Sequence, residues 1–188
     1  MGKFTLLYFA TMGFYSIYWF YRNWMAAEAI TGRKMFKVGR TLFAMFFVHQ
    51  LFTLVQSQQK EEGQQHSWRP IFLAWFYIGA GAMQFILTLA VEEYGLNSWL
   101  RLFVFCLALI AQFYVLYTVQ LIMNRVALDP FGKSNSKLNI HNHLWMAFGV
   151  YLWVTTIYNC YLESIGELPK PGLDAPAVSE EPVRPPML

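Results

Sequence analysis

Long apolar stretches alternate with short polar connections along the chain, and four of the stretches are long enough to cross a lipid bilayer. They cover residues 4–21, 70–91, 99–123 and 144–162. A helix needs about 20 predominantly apolar residues to traverse the hydrocarbon core, because each residue advances only about 1.5 Å. None of the four contains Asp, Glu or Lys. The one Arg inside them, Arg101, stands near a start, where its guanidinium can reach the headgroups. Interfacial aromatics mark the ends: Trp19, Tyr21 and Trp24 close the first stretch, Trp68 precedes the second, and Trp99 and Trp145 open the last two.

A fifth apolar stretch, 41–55, is shorter and carries His49 and Gln50 inside it. Charge decides how it is placed. If it does not cross, Arg22, Arg33, Lys34, Lys37, Arg40, Lys60, Arg69, Arg125, Lys133 and Lys137 share one side of the membrane. The other side then receives Lys3, Arg101, Lys170 and Arg184, together with Glu92, Glu93, Glu163, Glu167, Glu180 and Glu181. Cytoplasmic loops collect Lys and Arg, so the basic side faces the cytoplasm and both termini face away from it. A fifth crossing would scatter these charges. The sequence therefore predicts an all-α polytopic membrane protein with four transmembrane helices and one interfacial or re-entrant helix over 35–56. In that helix Lys37 and Arg40 hold the headgroups while Phe43, Phe46, Phe47, Leu51 and Phe52 enter the acyl region.

Residues 56–66 are rich in Gln and Glu and predict a solvated loop. Residues 1–167 form a single helical domain. From Leu168 the chain becomes acidic and Pro-rich (Pro169, Pro171, Pro176, Pro182, Pro185, Pro186), and such a tail cannot bury enough apolar surface to order alone.

Composition agrees with the pattern. Charged residues are 13% and apolar residues 56% of the 188, whereas soluble domains are about 25% charged. The net charge is +3 with no dense basic block, which argues against nucleic acid as a partner. Cys106 and Cys160 both lie in apolar runs and behave as small hydrophobes. The stretch after Lys3 runs into bulky aromatics without a small-residue cleavage site, so it is expected to stay as an anchor. Leu6 stands where N-myristoylation needs Ser or Thr.

Four blocks carry a family resemblance: FYSIYWFYRNW (14–24), GRTLFAMFFVHQLF (39–52), VQLIMN (119–124) and NIHNHLWMAFGVYLW (139–153). In order and spacing they resemble small bacterial multi-pass proteins of uncharacterised function, the domain-of-unknown-function group with a YW-FYRNW signature. The resemblance reaches to about Trp153 and leaves out the tail. It implies a bacterial inner-membrane protein and transfers no catalytic residue.

Candidate chemistry is sparse. His49, His66, His141 and His143 invite haem or metal, and His49 with His143 is the one pair placed to face each other. The spacing lacks an i, i+4 ligand pair, so neither a cofactor nor a metal is expected. Gln84 and Gln112 fall near the middle of adjacent antiparallel spans, where amide hydrogen bonds between helices act as packing glue. The small residues Gly79, Ala80, Gly81 and Ala82 let a second backbone approach, from within the chain or from a partner subunit. Arg22, Arg33, Lys34, Lys37 and Arg40 are placed to contact anionic lipid headgroups. No phosphate loop, nucleophile elbow or paired-carboxylate site is present. The first expectation is a non-enzymatic membrane subunit or scaffold, with other membrane proteins and lipids as partners. The alternative is a carrier or handler of lipids or small solutes, and a lipid-modifying enzyme comes third.

Overall fold

Two helices, α5 (Pro70–Glu93) and α6 (Ser98–Val126), form an antiparallel pair that is long and apolar enough to cross a membrane. Their boundaries follow from local chemistry. Pro70 opens α5, where a missing N–H costs nothing. The positive φ of Gly95 helps turn the chain, and Asn97 then caps α6, its side chain accepting from the Trp99 amide at 2.7 Å. The structure, a computed structural model, describes residues 1–63, 68–95 and 97–168. Among these are seven α-helices, one 3₁₀ turn and no strand.

The long pair is not the core of a soluble fold. In the most apolar stretch of α5 only 6% is buried, and in that of α6 28%. Phe72, Trp75, Phe76, Phe85 and Ile86 on α5, with Phe103, Leu107 and Ile110 on α6, all stand exposed. Soluble monomers do not carry a continuous apolar surface of this extent. Helix α7 (Ile140–Ser164) has 25 residues, starts on an Asn139 cap and packs against α1 and α6. Its far end meets the start of α6, with Arg101 and Glu163 paired at 3.3 Å.

The first expected span, 4–21, is not one helix. It divides into α1 (Gly2–Ala10) and the first turns of α2 (Tyr15–Thr31). Between them the chain reverses, with Met12 at φ 52 and Gly13 at φ 83. Thr11 joins the two helices: its buried hydroxyl donates to Leu7 O at 2.8 Å and accepts from the Tyr15 amide at 2.9 Å. Phe4 consequently faces both Tyr15 and Trp19 of the returning helix. At nine residues, roughly 14 Å, α1 is too short to cross. Two helices thus meet the requirements of length and apolarity, the first stretch is a hairpin, and four transmembrane helices are not confirmed.

The reversal moves the N-terminus. The Met1 ammonium donates to Phe131 O at 3.2 Å, and Lys3 Nζ donates to Asn135 Oδ1 and Lys137 O, both at 2.9 Å. A lysine bonded to the 131–137 connection cannot lie across a bilayer from it. The expectation that Lys3 and the N-terminus sit opposite the basic loops is overturned. Lys3 joins Arg22, Lys37, Lys60, Arg69, Arg125, Lys133 and Lys137 at one broad end of the bundle. Among the described basic residues only Arg101 occupies the narrow end, beside Glu163.

The segment 35–56 divides at Phe43 into α3 (Lys37–Leu42) and α4 (Ala44–Glu61). Helix α4 is not an interfacial helix lying on the surface. It packs against α2, α5 and α6, and buries Val48, Leu51, Phe52 and Val55 in the core. Leu51 and Phe52, expected among acyl chains, are therefore core residues, while Phe43 and Phe46 do face outward. Residues 56–61, expected as loop, continue α4, and the side chain of Gln59 is buried, accepting from Trp68 Nε1 at 2.8 Å. The tail from residue 169 and His66 lie outside the described residues.

The hairpin is seated on α7 through Gly149, where a side chain would collide with the Ala10 carbonyl and Thr11. Trp153 Nε1 donates to Phe9 O beside it at 2.8 Å. Gly149→Ala is expected to lower Tm in detergent by roughly 3–10 °C, the range for about 1–3 kcal/mol of overpacking in a chain of this size. A melting curve of the purified variant checks this; an unchanged Tm would mean that α1 does not rest on α7.

Candidate functional site

A chain of uncharged polar groups runs along α2 and α6, and one hydrogen bond of it links the two helices. Trp19 Nε1 donates to Gln120 Oε1 at 2.5 Å, and Gln120 Nε2 donates to Asn124 Oδ1 at 2.7 Å. Asn124 Nδ2 contacts Met1 Sδ at 3.1 Å, and Asn23 Nδ2 donates to Trp19 O at 2.8 Å. Gln120 and Asn124 share one face of α6 because they are four residues apart. Each primary amide has two N–H donors, so one on each of these three side chains is left over.

Below these polar groups, α4 leaves a cavity of about 460 Å³ between itself, α2 and α6. Ala26, Ala27, Ile30, Leu51, Leu54, Val55 and Met123 make its apolar wall, and Gln58 and Glu62 stand at the C-terminal end of α4. A second cavity of about 260 Å³ is lined by Tyr15, Tyr18, Arg22, Gly132 and Asn135. Asn23, Ala26, Gln120 and Asn124 line both, so the two compartments adjoin along these side chains. The larger compartment alone falls within the usual 300–1,000 Å³ range of ligand pockets.

The five basic residues expected at headgroups have different surroundings. Arg22 is exposed and lines the polar compartment, and no described carboxylate pairs with it. Lys37 pairs with Glu28 at 2.8 Å, docking α3 onto α2. That hydrogen bond, with one from the Met35 amide, holds the Glu28 carboxyl below its ordinary pKa. The Arg40 guanidinium lies 4.7 Å from the Trp24 ring centroid and donates to Gln50 Oε1 at 3.0 Å. Arg33 and Lys34 are exposed after the end of α2. Only Arg22 belongs to the cleft.

The small-residue patch serves two purposes. A Cβ at Gly81 would come within 2.9 Å of Gln112 Nε2, so Gly81 is used inside the chain, in the α5–α6 contact. Gly79 has nothing near it and faces an apolar groove of about 550 Å³, lined with Gln84, Trp75, Met83 and Leu107 among others. Ala82 is exposed. Gln84 lies in the groove wall and Gln112 does not, and no hydrogen bond joins these two amides. His49 stacks on Trp75 at 6.3 Å, on the α4–α5 face. His143 lies in the first turns of α7, which packs on α1 and α6 instead, so the suggested histidine pair is not brought together.

Asn23 and Asn124 escaped the sequence reading because both lie at span ends, where amides look like loop residues. Gln120 lies inside the span 99–123, where a neutral amide gives no signal beyond packing. No protein-family model, curated protein or solved structure matches this chain.

Because the two glycines differ in surroundings, their substitutions should differ. Gly81→Leu must displace Gln112 and is expected to lower Tm by roughly 3–10 °C. Gly79→Leu projects into open space and should leave Tm within about 2 °C. Equal losses in the two melting curves would contradict this division of the patch.

Proposed function

We propose that the protein is a non-enzymatic integral membrane protein that binds a lipid-like amphiphile in the cleft between α2, α4 and α6. The observation that carries this reading is the junction of an apolar and a polar compartment at Asn23, Gln120 and Asn124. An apolar tail and a polar head each find a matching surface there, at the end of the bundle where the basic residues gather. The chain offers no paired carboxylates or activated nucleophile to add chemistry to such a site.

In this proposal α5, α6 and α7 cross the bilayer, while α1 to α4 enter from the basic side and do not cross. The broad end faces the cytoplasm, by the rule that Lys and Arg gather there. The N-terminus is then cytoplasmic, and the end of α7 faces the opposite side. The YWFYRNW-type resemblance supports a bacterial inner membrane as the location.

Assembly with other membrane proteins is the second reading, supported by the apolar groove over Gly79. The two separate in one experiment. Wild type purified in mild detergent should retain lipid in native mass spectra, and Ala26→Trp, which puts a large ring on the wall that both compartments share, should lose it without a change in Tm. A wild type that comes away lipid-free with a stoichiometric protein partner would replace the amphiphile reading with the subunit reading.

A further inference from the structure

We propose that the occupant of this cleft is a glycerophospholipid, held by its phosphate on Arg22, Tyr18 and Asn135. The inference rests on the reading of the cleft as an amphiphile site and adds the chemical class of the ligand. Arg22 presents a planar fork of donors to the polar compartment with no described carboxylate to satisfy it. A fork of this kind matches phosphate oxygens two at a time. Asn135 already turns its Oδ1 to Lys3 Nζ at 2.9 Å, which leaves its amide N–H groups for the cavity. Tyr18 adds a phenol to the same wall.

The cleft continues in the order a phospholipid requires. Next to Arg22 come the amides of Asn23, Gln120 and Asn124, whose remaining N–H donors suit the ester carbonyls of the glycerol region. Beyond them the larger compartment offers about 460 Å³ for an acyl chain along Ala26, Ala27, Ile30, Leu54 and Met123, with Gln58 and Glu62 also in its lining. Phosphate, ester and chain thus meet guanidinium, amide and hydrocarbon in sequence. A free phosphate would leave the larger compartment unused.

The test uses the full-length chain with two lipids, phosphatidylglycerol and a diacylglycerol of the same chains, which lacks the phosphate. Wild type should bind phosphatidylglycerol at least roughly tenfold more tightly, the ratio expected when a charge-assisted contact of about 1.4 kcal/mol is made. Arg22→Ala should lose that preference while still taking up diacylglycerol, and Arg22→Lys should recover only part of it. Inorganic phosphate should fail to displace the lipid. Equal binding of the two lipids by wild type, or an unchanged preference in Arg22→Ala, would refute the phosphate assignment and leave the amphiphile cleft standing. Displacement of the lipid by inorganic phosphate alone would also refute it, in favour of a free-phosphate site. If Ala26→Trp binds both lipids like wild type, the cleft itself is not the site and both proposals fall.

Discussion

The arrangement of the whole molecule depends on one buried hydroxyl. Thr11 ends α1 by donating to Leu7 O and starts α2 by accepting from the Tyr15 amide, so the same side chain closes one helix and opens the next. Left unpaired among the aromatic rings around it, the Tyr15 amide would cost about 1–3 kcal/mol, whereas Leu7 O also accepts from the Thr11 amide at 3.1 Å. Once the chain has turned there, Phe4 and Tyr8 must pack on Tyr15 and Trp19, and α2 must return toward the end from which α1 came. The Met1–Phe131 and Lys3–Asn135 bonds follow from that return, and so does the Trp19–Gln120 bond that links α2 to α6.

The cleft is lined by the shorter helices α2 and α4 together with the long α6. Helices α5, α6 and α7 have 24, 29 and 25 residues, roughly 36–43 Å each, whereas α2 and α4 have 17 and 18, roughly 26 Å. Ala26 and Ala27 on α2 leave the space that Leu54 and Met123 do not fill. Charge follows the same division: the described Lys and Arg gather where the bundle is broad, with the sole exception of Arg101, which is neutralised by Glu163.

The all-helical class and the long pair were legible in the sequence, because an unbroken apolar run of span length has few other uses. The hairpin was not. Hydropathy sums residues 4–21 as one segment and cannot see that Thr11, Met12 and Gly13 hold a reversal; the Thr-x-Gly turn chemistry was the available signal. The same blindness affected α4, since Leu51 and Phe52 are equally apolar whether they meet acyl chains or Trp24 and Trp68. In the cleft, Arg22 was legible as a headgroup contact from its position after Tyr21. Its partners were not, because Asn23, Asn124 and Asn135 come together only when 4–21 folds back on itself. The mistaken side for Lys3 had the same origin, and correcting it makes the charge asymmetry sharper than the sequence count suggested.

The measurement that bears most directly on this account is sided labelling of position 3 against the α6–α7 connection in sealed membrane vesicles of known orientation. Lys3→Cys and Ser136→Cys, each in a chain whose Cys106 and Cys160 are replaced by Ala, would be treated with a membrane-impermeant maleimide from either side. The account predicts that both thiols react from the same side, the cytoplasmic one. Labelling of position 3 from the opposite side to position 136 would contradict it, and would restore residues 4–21 to a single crossing.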